Sequence, residues 1–282
     1  MLTIQPAIAA GSVGTGTPAS CTEAAFDAVL AGGGLITFNC GPGTTTIDLT
    51  VEKAIANNTE IDGGGQIVLG MNGNDRHFYI APPATLRLEN IRLTAGSVDG
   101  DGGIILNDGT VIAHDVIFGG GFADGSLGVD GFGGAIRNDG TLVVTDSTFT
   151  TNRATACGGG LYNSGASTIT GNTNFIGNLS DTSVGGGICN AGGTVLIHPG
   201  ATFDGNSAQD GGAIANVNGG SMTIDGANFD DSNGRKRRRR NLQYRQAGIG
   251  NIMLRNSTIT QSHAGDEGGG IWNSVQHGRH II

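Results

Sequence analysis

One hexad recurs along this chain and constrains what it can fold into. It reads GGIILN (102–107), GGAIRN (133–138), GGGLYN (158–163), GGGICN (185–190), GGAIAN (211–216) and GGGIWN (268–273). The residues that end it, Asn107, Asn138, Asn163, Asn190, Asn216 and Asn273, are separated by 31, 25, 27, 26 and 57 residues, the last being about two periods. A second column keeps the same step. Leu93, Phe118, Phe149, Phe175, Phe203, Phe229 and Ile259 follow one another at 25, 31, 26, 28, 26 and 30 residues. Upstream of that column lie short alternating stretches such as Leu142/Val144 and Met222/Ile224, and period-two patterning over a few residues marks strand. A unit of roughly 27 residues with about three short strands cannot bury its own apolar face; stacked units can, with parallel neighbours about 4.8 Å apart. The repeat therefore predicts an all-β parallel β-helix.

Composition agrees and excludes several classes. The chain has 53 Gly in 282 residues, 6 Pro and 5% aromatics, which suits a turn-rich β protein and not collagen or a Pro-rich linker. No apolar run approaches the length of a membrane span. The net charge is −9, yet seven of the 15 basic residues lie between Arg235 and Arg245, so the remainder sets 8 positive against 24 negative charges. Such a surface disfavours nucleic acid and anionic lipid and suits a cation or a neutral or cationic partner.

The N-terminal end reads as a cap. Residues 1–17 are expected to be a flexible N-terminus or leader remnant, since MLTIQPAIAA ends in small residues without a basic segment. Over 18–34, Ser20 and Glu23 form a capping-box pattern ahead of Phe26, Val29 and Leu30, with Gly32–Gly34 ending a short helix that would close the first coil. Cys21 and Cys40 either form a disulfide between cap and first strand or remain thiols. Cys157 and Cys189 fall in different columns of adjacent coils and are expected to be separate thiols. No Cys/His spacing matches a zinc site.

The segments CTEAAFDAVLAGGGLITFNC and NTEIDGGG, the hexads and the STF-like strands together resemble bacterial secreted right-handed parallel β-helix proteins of the pectate-lyase-like group, and the repeats of polymorphic outer-membrane proteins. The resemblance covers about residues 18–273. It implies a single-stranded right-handed parallel β-helix over 35–274 and an extracellular or cell-surface location. Adhesins, lyases and glycosidases share the fold, so it does not choose an activity.

Between Asn216 and Asn273 one hexad is missing, and an irregular insert, GRKRRRRNLQYRQAG (234–248), stands in its place. If Arg237–Arg240 are encoded CGG and 241–245 as AAT-CTA-CAA-TAC-CGG, a one-base shift spells Gly-Gly-Gly-Gly-Ile-Tyr-Asn-Thr-Gly, with Asn at 243. A local frameshift is thus expected there, and the irregular tail 275–282 reads as another. Sequencing the coding DNA checks both.

Candidate chemistry is sparse. The Asn and Phe columns read as structure. The six His show no ligand spacing, and no GxSxG, HExxH or P-loop occurs. Asp230 and Asp231 form a paired-carboxylate candidate, and Arg137 or Arg153 could stabilise charge or act as base. The acidic edge offers Asp99, Asp101, Asp181, Asp210, Asp266 and Glu267, with Asp124 and Asp130, as oxygen ligands for Ca²⁺. The position before each hexad Asn runs Leu106, Arg137, Tyr162, Cys189, Ala215, Trp272; alternation turns it outward, so Arg137, Tyr162 and Trp272 form a candidate row for stacking sugar rings. The loop 119–133 is longer than its counterparts and could shield a groove beside Tyr162. The expected function is carbohydrate binding outside the cell, with a Ca²⁺-assisted polysaccharide lyase or hydrolase as the alternative.

Overall fold

The computed structural model describes residues 9–125, 131–234, 250–263 and 268–273. Strands stack in parallel and wind as a right-handed β-solenoid whose described strands form sheets of 16, 8 and 6 strands. One coil shows the pattern: Leu161–Asn163 in the eight-stranded sheet, Ala166–Thr170 and Asn174–Ile176 in the wide sheet, Leu179–Ser180 in the six-stranded one. Register keeps like residues together, so Ile136, Leu161, Ile188, Ile214 and Ile271 lie on one another.

Stacking decides the core. Phe118, Phe149, Phe175, Phe203 and Phe229 are buried, with successive ring centroids 4.8, 4.5, 4.8 and 4.7 Å apart. That spacing is the strand spacing, imposed by the coil rather than by ring preference. The hexad asparagines form a buried ladder. Each Nδ2 donates to the next Oδ1, at 2.6, 2.7, 2.8, 2.8 and 3.0 Å from Asn107 through Asn138, Asn163, Asn190 and Asn216 to Asn273. A second ladder escaped the sequence reading. Asn152, Asn178 and Asn206 are linked at 2.9 Å, and each also donates to a carbonyl of the coil beneath, on Phe118, Phe149 and Phe175.

The cap helix spans Glu23–Leu30, shorter than 18–34. Its N-cap is Thr22, whose hydroxyl accepts from the Ala25 N–H at 3.2 Å. Ser20 instead donates to the Thr17 carbonyl within the 3-10 turn Pro18–Ser20. Glu23 is drawn away from the capping box by Lys53, a buried ammonium 2.8 Å from Glu23 and 2.8 Å from Asp27. Burial alone would raise the Glu23 carboxyl, but bonds from Lys53 and Thr50 hold it at about 2. Ala9–Val13, inside the stretch expected to be flexible, pairs in parallel with Gly34–Phe38.

Cys21 and Cys40 form a disulfide, Cα–Cα 5.6 Å. Cys157 and Cys189 also form one, Cα–Cα 5.8 Å, which corrects the expectation of separate thiols. Residues in different columns meet because the segment before each hexad folds back over the outer face of the next coil's hexad strand.

The 57-residue gap is one step in the sheet, not two. Asn251–Arg255 and Thr258–Ile259 stack on Ser221–Asp225 and Asn228–Asp230, and Ile271–Asn273 then lies directly on Ile214–Asn216. The suspected misread segment, beyond Gly234, and the tail 275–282 lie outside the described residues.

One buried group makes stability depend on pH. His77 is fully buried, with Nε2 3.0 Å from the Leu69 carbonyl oxygen, and burial lowers its pKa from 6.5 to about 4. The unfolded imidazole protonates first, so stability is complete above the unfolded pKa. It declines as pH falls from there through the folded value, by about 3 kcal/mol in total. Thermal melts from pH 8 to 4 should fall through that window. His77→Gln, which keeps a donor but does not titrate there, should flatten the decline. Glu23 contributes below this window, between its ordinary carboxyl range and about 2.

Candidate functional site

The row before the hexad Asn stacks in register as Leu106, Arg137, Tyr162, Cys189, Ala215 and Trp272. These side chains leave the core, but the row is roofed rather than open. Phe132, Ala156, Cys157, Val184, Ala191 and Val217 form a second apolar cluster with Cys189 and Ala215, and Tyr162 and Trp272 pack against it. Backbone bonds hold the roof, from Gly133 N–H to Cys157 O and from Gly158 N–H to Val184 O. The row's middle is therefore sealed, and the expected continuous sugar-stacking strip becomes two half-buried ends, at Arg137/Tyr162 and at Trp272.

The first end has the more elaborate chemistry. Tyr162 stacks on Phe132, at the end of the 119–133 loop, with centroids 4.6 Å apart. The Arg137 guanidinium carbon lies 5.5 Å from the Tyr162 ring centre and 5.8 Å from that of Phe132. Arg137 Nε donates to Asp139 Oδ2 at 2.7 Å, and Nη1 pairs with Asp101. Desolvation pulls the guanidinium pKa down, and the two carboxylates more than offset it, leaving it raised. A base needs a proton-free nitrogen, and this guanidinium stays protonated between Asp101 and Asp139. Asp101 also accepts from the Phe132 N–H at 2.6 Å, tying the roof to the site.

The other candidates are dispersed. Arg153 donates to Asp181 at 2.7 Å and lies 4.9 Å from the Phe122 ring centre, on a different sheet from Arg137. Asp99 and Asp124 are register partners in the six-stranded sheet, and Asp210 is buried where it bridges to Val184. Among the described residues no three carboxylate, His or Cys groups gather as a metal centre. Asp266, Glu267 and Asp130 lie outside the described residues. Asp230 stacks on Asp204 and accepts from the Thr260 hydroxyl at 2.9 Å. Asp231 has φ 42° at the corner where other coils place Thr151 (53°) and Gly205 (62°). That pair sits at a turn.

Phe132 is the residue that sequence reasoning missed. Its position just before a hexad glycine matches Cys157 and Val184, an apolar column legible in the sequence once the roof is known. Searches found no match to this chain among family models, curated proteins or solved structures.

Proposed function

We propose that this chain is an extracellular or cell-surface β-solenoid that binds carbohydrate at the Arg137–Tyr162 end of the roofed row. The observation that carries this reading is the meeting, within adjacent coils, of a half-buried aromatic ring, a guanidinium and two fixed carboxylates, Asp101 and Asp139. A sugar ring uses both parts: an apolar face for its C–H groups and rigid polar groups for its hydroxyls. Two disulfides fit an oxidising compartment.

The test is a glycan array followed by titration of the best ligand. Tyr162→Ala, checked by thermal melting for an intact fold, should weaken binding at least tenfold, about 1.4 kcal/mol. Binding unchanged in Tyr162→Ala, or no glycan bound, overturns the reading. Running the array with and without chelator separates it from the Ca²⁺-assisted lyase or hydrolase, which requires metal-dependent turnover.

A further inference from the structure

The outward row of the eight-stranded sheet does not stop at Leu106. Register carries it one coil further to Tyr79 and another to Ala54. Phe78 and Ile80, on either side of Tyr79, are buried in the core, so alternation turns the Tyr79 ring outward. No hexad marks these two coils, which is why the repeat alone does not reveal them. The apolar roof begins at Phe132 and includes neither Leu106 nor Tyr79. Both are half-buried, and among the described residues no second ring packs on Tyr79. Its hydroxyl donates to Asp108 at 3.0 Å. At Ala54 the row meets a cavity of about 380 Å³ between the strand Lys53–Ile55 and the cap helix, lined also by Asp27, Leu30 and Glu52.

The charge along this path has one sign to offer. Each cation beside it is already paired: Lys53 with Glu23 and Asp27, Arg76 with Glu52, Arg137 with Asp101 and Asp139. Asp108 is exposed and has no cation among the described residues. Resting on the carbohydrate reading above, we infer that the row is one extended groove for an oligosaccharide of amino sugars, lying along the solenoid axis from Tyr162 to the cavity. Tyr162 and Tyr79 serve as platforms for the C–H faces of two sugar rings, and Asp108 takes a protonated amine between them. A polyuronate meets carboxylates with no free cation and is rejected. Ala54 and Tyr162 are four strand steps apart, roughly 19 Å. A ring in an extended chain advances by about one such step, so about four sugar residues fill the groove.

The test is calorimetric titration of the whole chain near pH 6, where the amines are protonated. The probes are glucosamine oligomers of increasing length, their N-acetylated counterparts, oligogalacturonate and oligolysine. Affinity for the glucosamine oligomers should rise with length up to about four residues. It should exceed that for the acetylated oligomers at low salt, and the difference should shrink as salt is added. Tyr79→Ala should lower the affinity for the tetramer at least tenfold, Tyr79→Phe should restore most of it, and Asp108→Asn should remove the preference for the free amine. All three face solvent and should melt within about 2 °C of the parent. Affinity independent of length, a tetramer indifferent to Tyr79→Ala, or acetylated, galacturonate or lysine oligomers bound as tightly as glucosamine overturns the inference. Glycan binding lost in Tyr162→Ala and unchanged in Tyr79→Ala overturns the extended groove alone and leaves the carbohydrate reading standing; no glycan bound at all overturns both.

Discussion

Gly159→Ala should cost more than about 4 kcal/mol and lower the melting temperature by roughly 10 °C or prevent folding. The backbone there is not in the left-handed region, so the reason is space. A Cβ on Gly159 would lie 2.5 Å from the Gly186 carbonyl oxygen of the next coil and 2.5 Å from both the nitrogen and oxygen of Leu179. All three are backbone atoms, already fixed by the parallel ladders, and none can yield without lengthening the coil rise. Gly177→Asn is the contrasting case. Gly177 has φ 62° and its nearest would-be neighbour at 4.0 Å, so an Asn, which tolerates that conformation, should cost under about 1 kcal/mol. A Gly159→Ala protein melting within about 2 °C of the parent would show that the coils breathe more than close packing allows.

Asn190→Leu should destabilise by about 3–5 kcal/mol, chiefly by orphaning buried partners. Asn190 is fully buried, and its Nδ2 donates to Asn216 Oδ1 at 2.8 Å and to the Gly193 carbonyl at 2.9 Å, while Oδ1 accepts from Asn163 at 2.8 Å. Leucine has similar volume, so packing is nearly conserved and the loss reports hydrogen bonding. The damage should also be local, because each coil touches mainly its neighbours. Denaturant unfolding should show a lowered slope or two transitions, and protease should cut near residue 190. A single transition with unchanged midpoint would mean that the ladder adds nothing beyond shape.

Much of this was readable from spacing because a solenoid converts sequence period into contact. The Phe and Asn columns are equal steps along the chain, and equal steps become neighbours 4.8 Å apart. The second ladder is equally regular, three residues after each Phe at Asn152, Asn178 and Asn206, but small polar residues are common in turns and do not stand out there. What spacing does not encode is the path of the segment between columns. Cys157 reaches Cys189, and Phe132 reaches Tyr162, because that segment lies back across the sheet, a lateral displacement that no period reports. The Glu23 side chain departs from the capping box for a related reason: its competitor, Lys53, is thirty residues away, and local capping rules see three. The outward row keeps its register and loses its continuity, since Cys189 and Ala215 are covered where an open row is expected.

The direct seating of Ile271–Asn273 on Ile214–Asn216 says something about how such a chain can change. A hexad is accepted by the edge beneath it because it offers the same glycines, the same inward aliphatic group and the same amide, not because it comes next in the chain. The growing end therefore behaves as a template that accepts any correctly patterned strand within reach. Whole coils can be gained or dropped without redesigning the ones that remain, whereas changes of one or two residues inside a coil throw every column out of step. Length in this architecture is inherited in units of about 27 residues, and its errors should come in the same denomination.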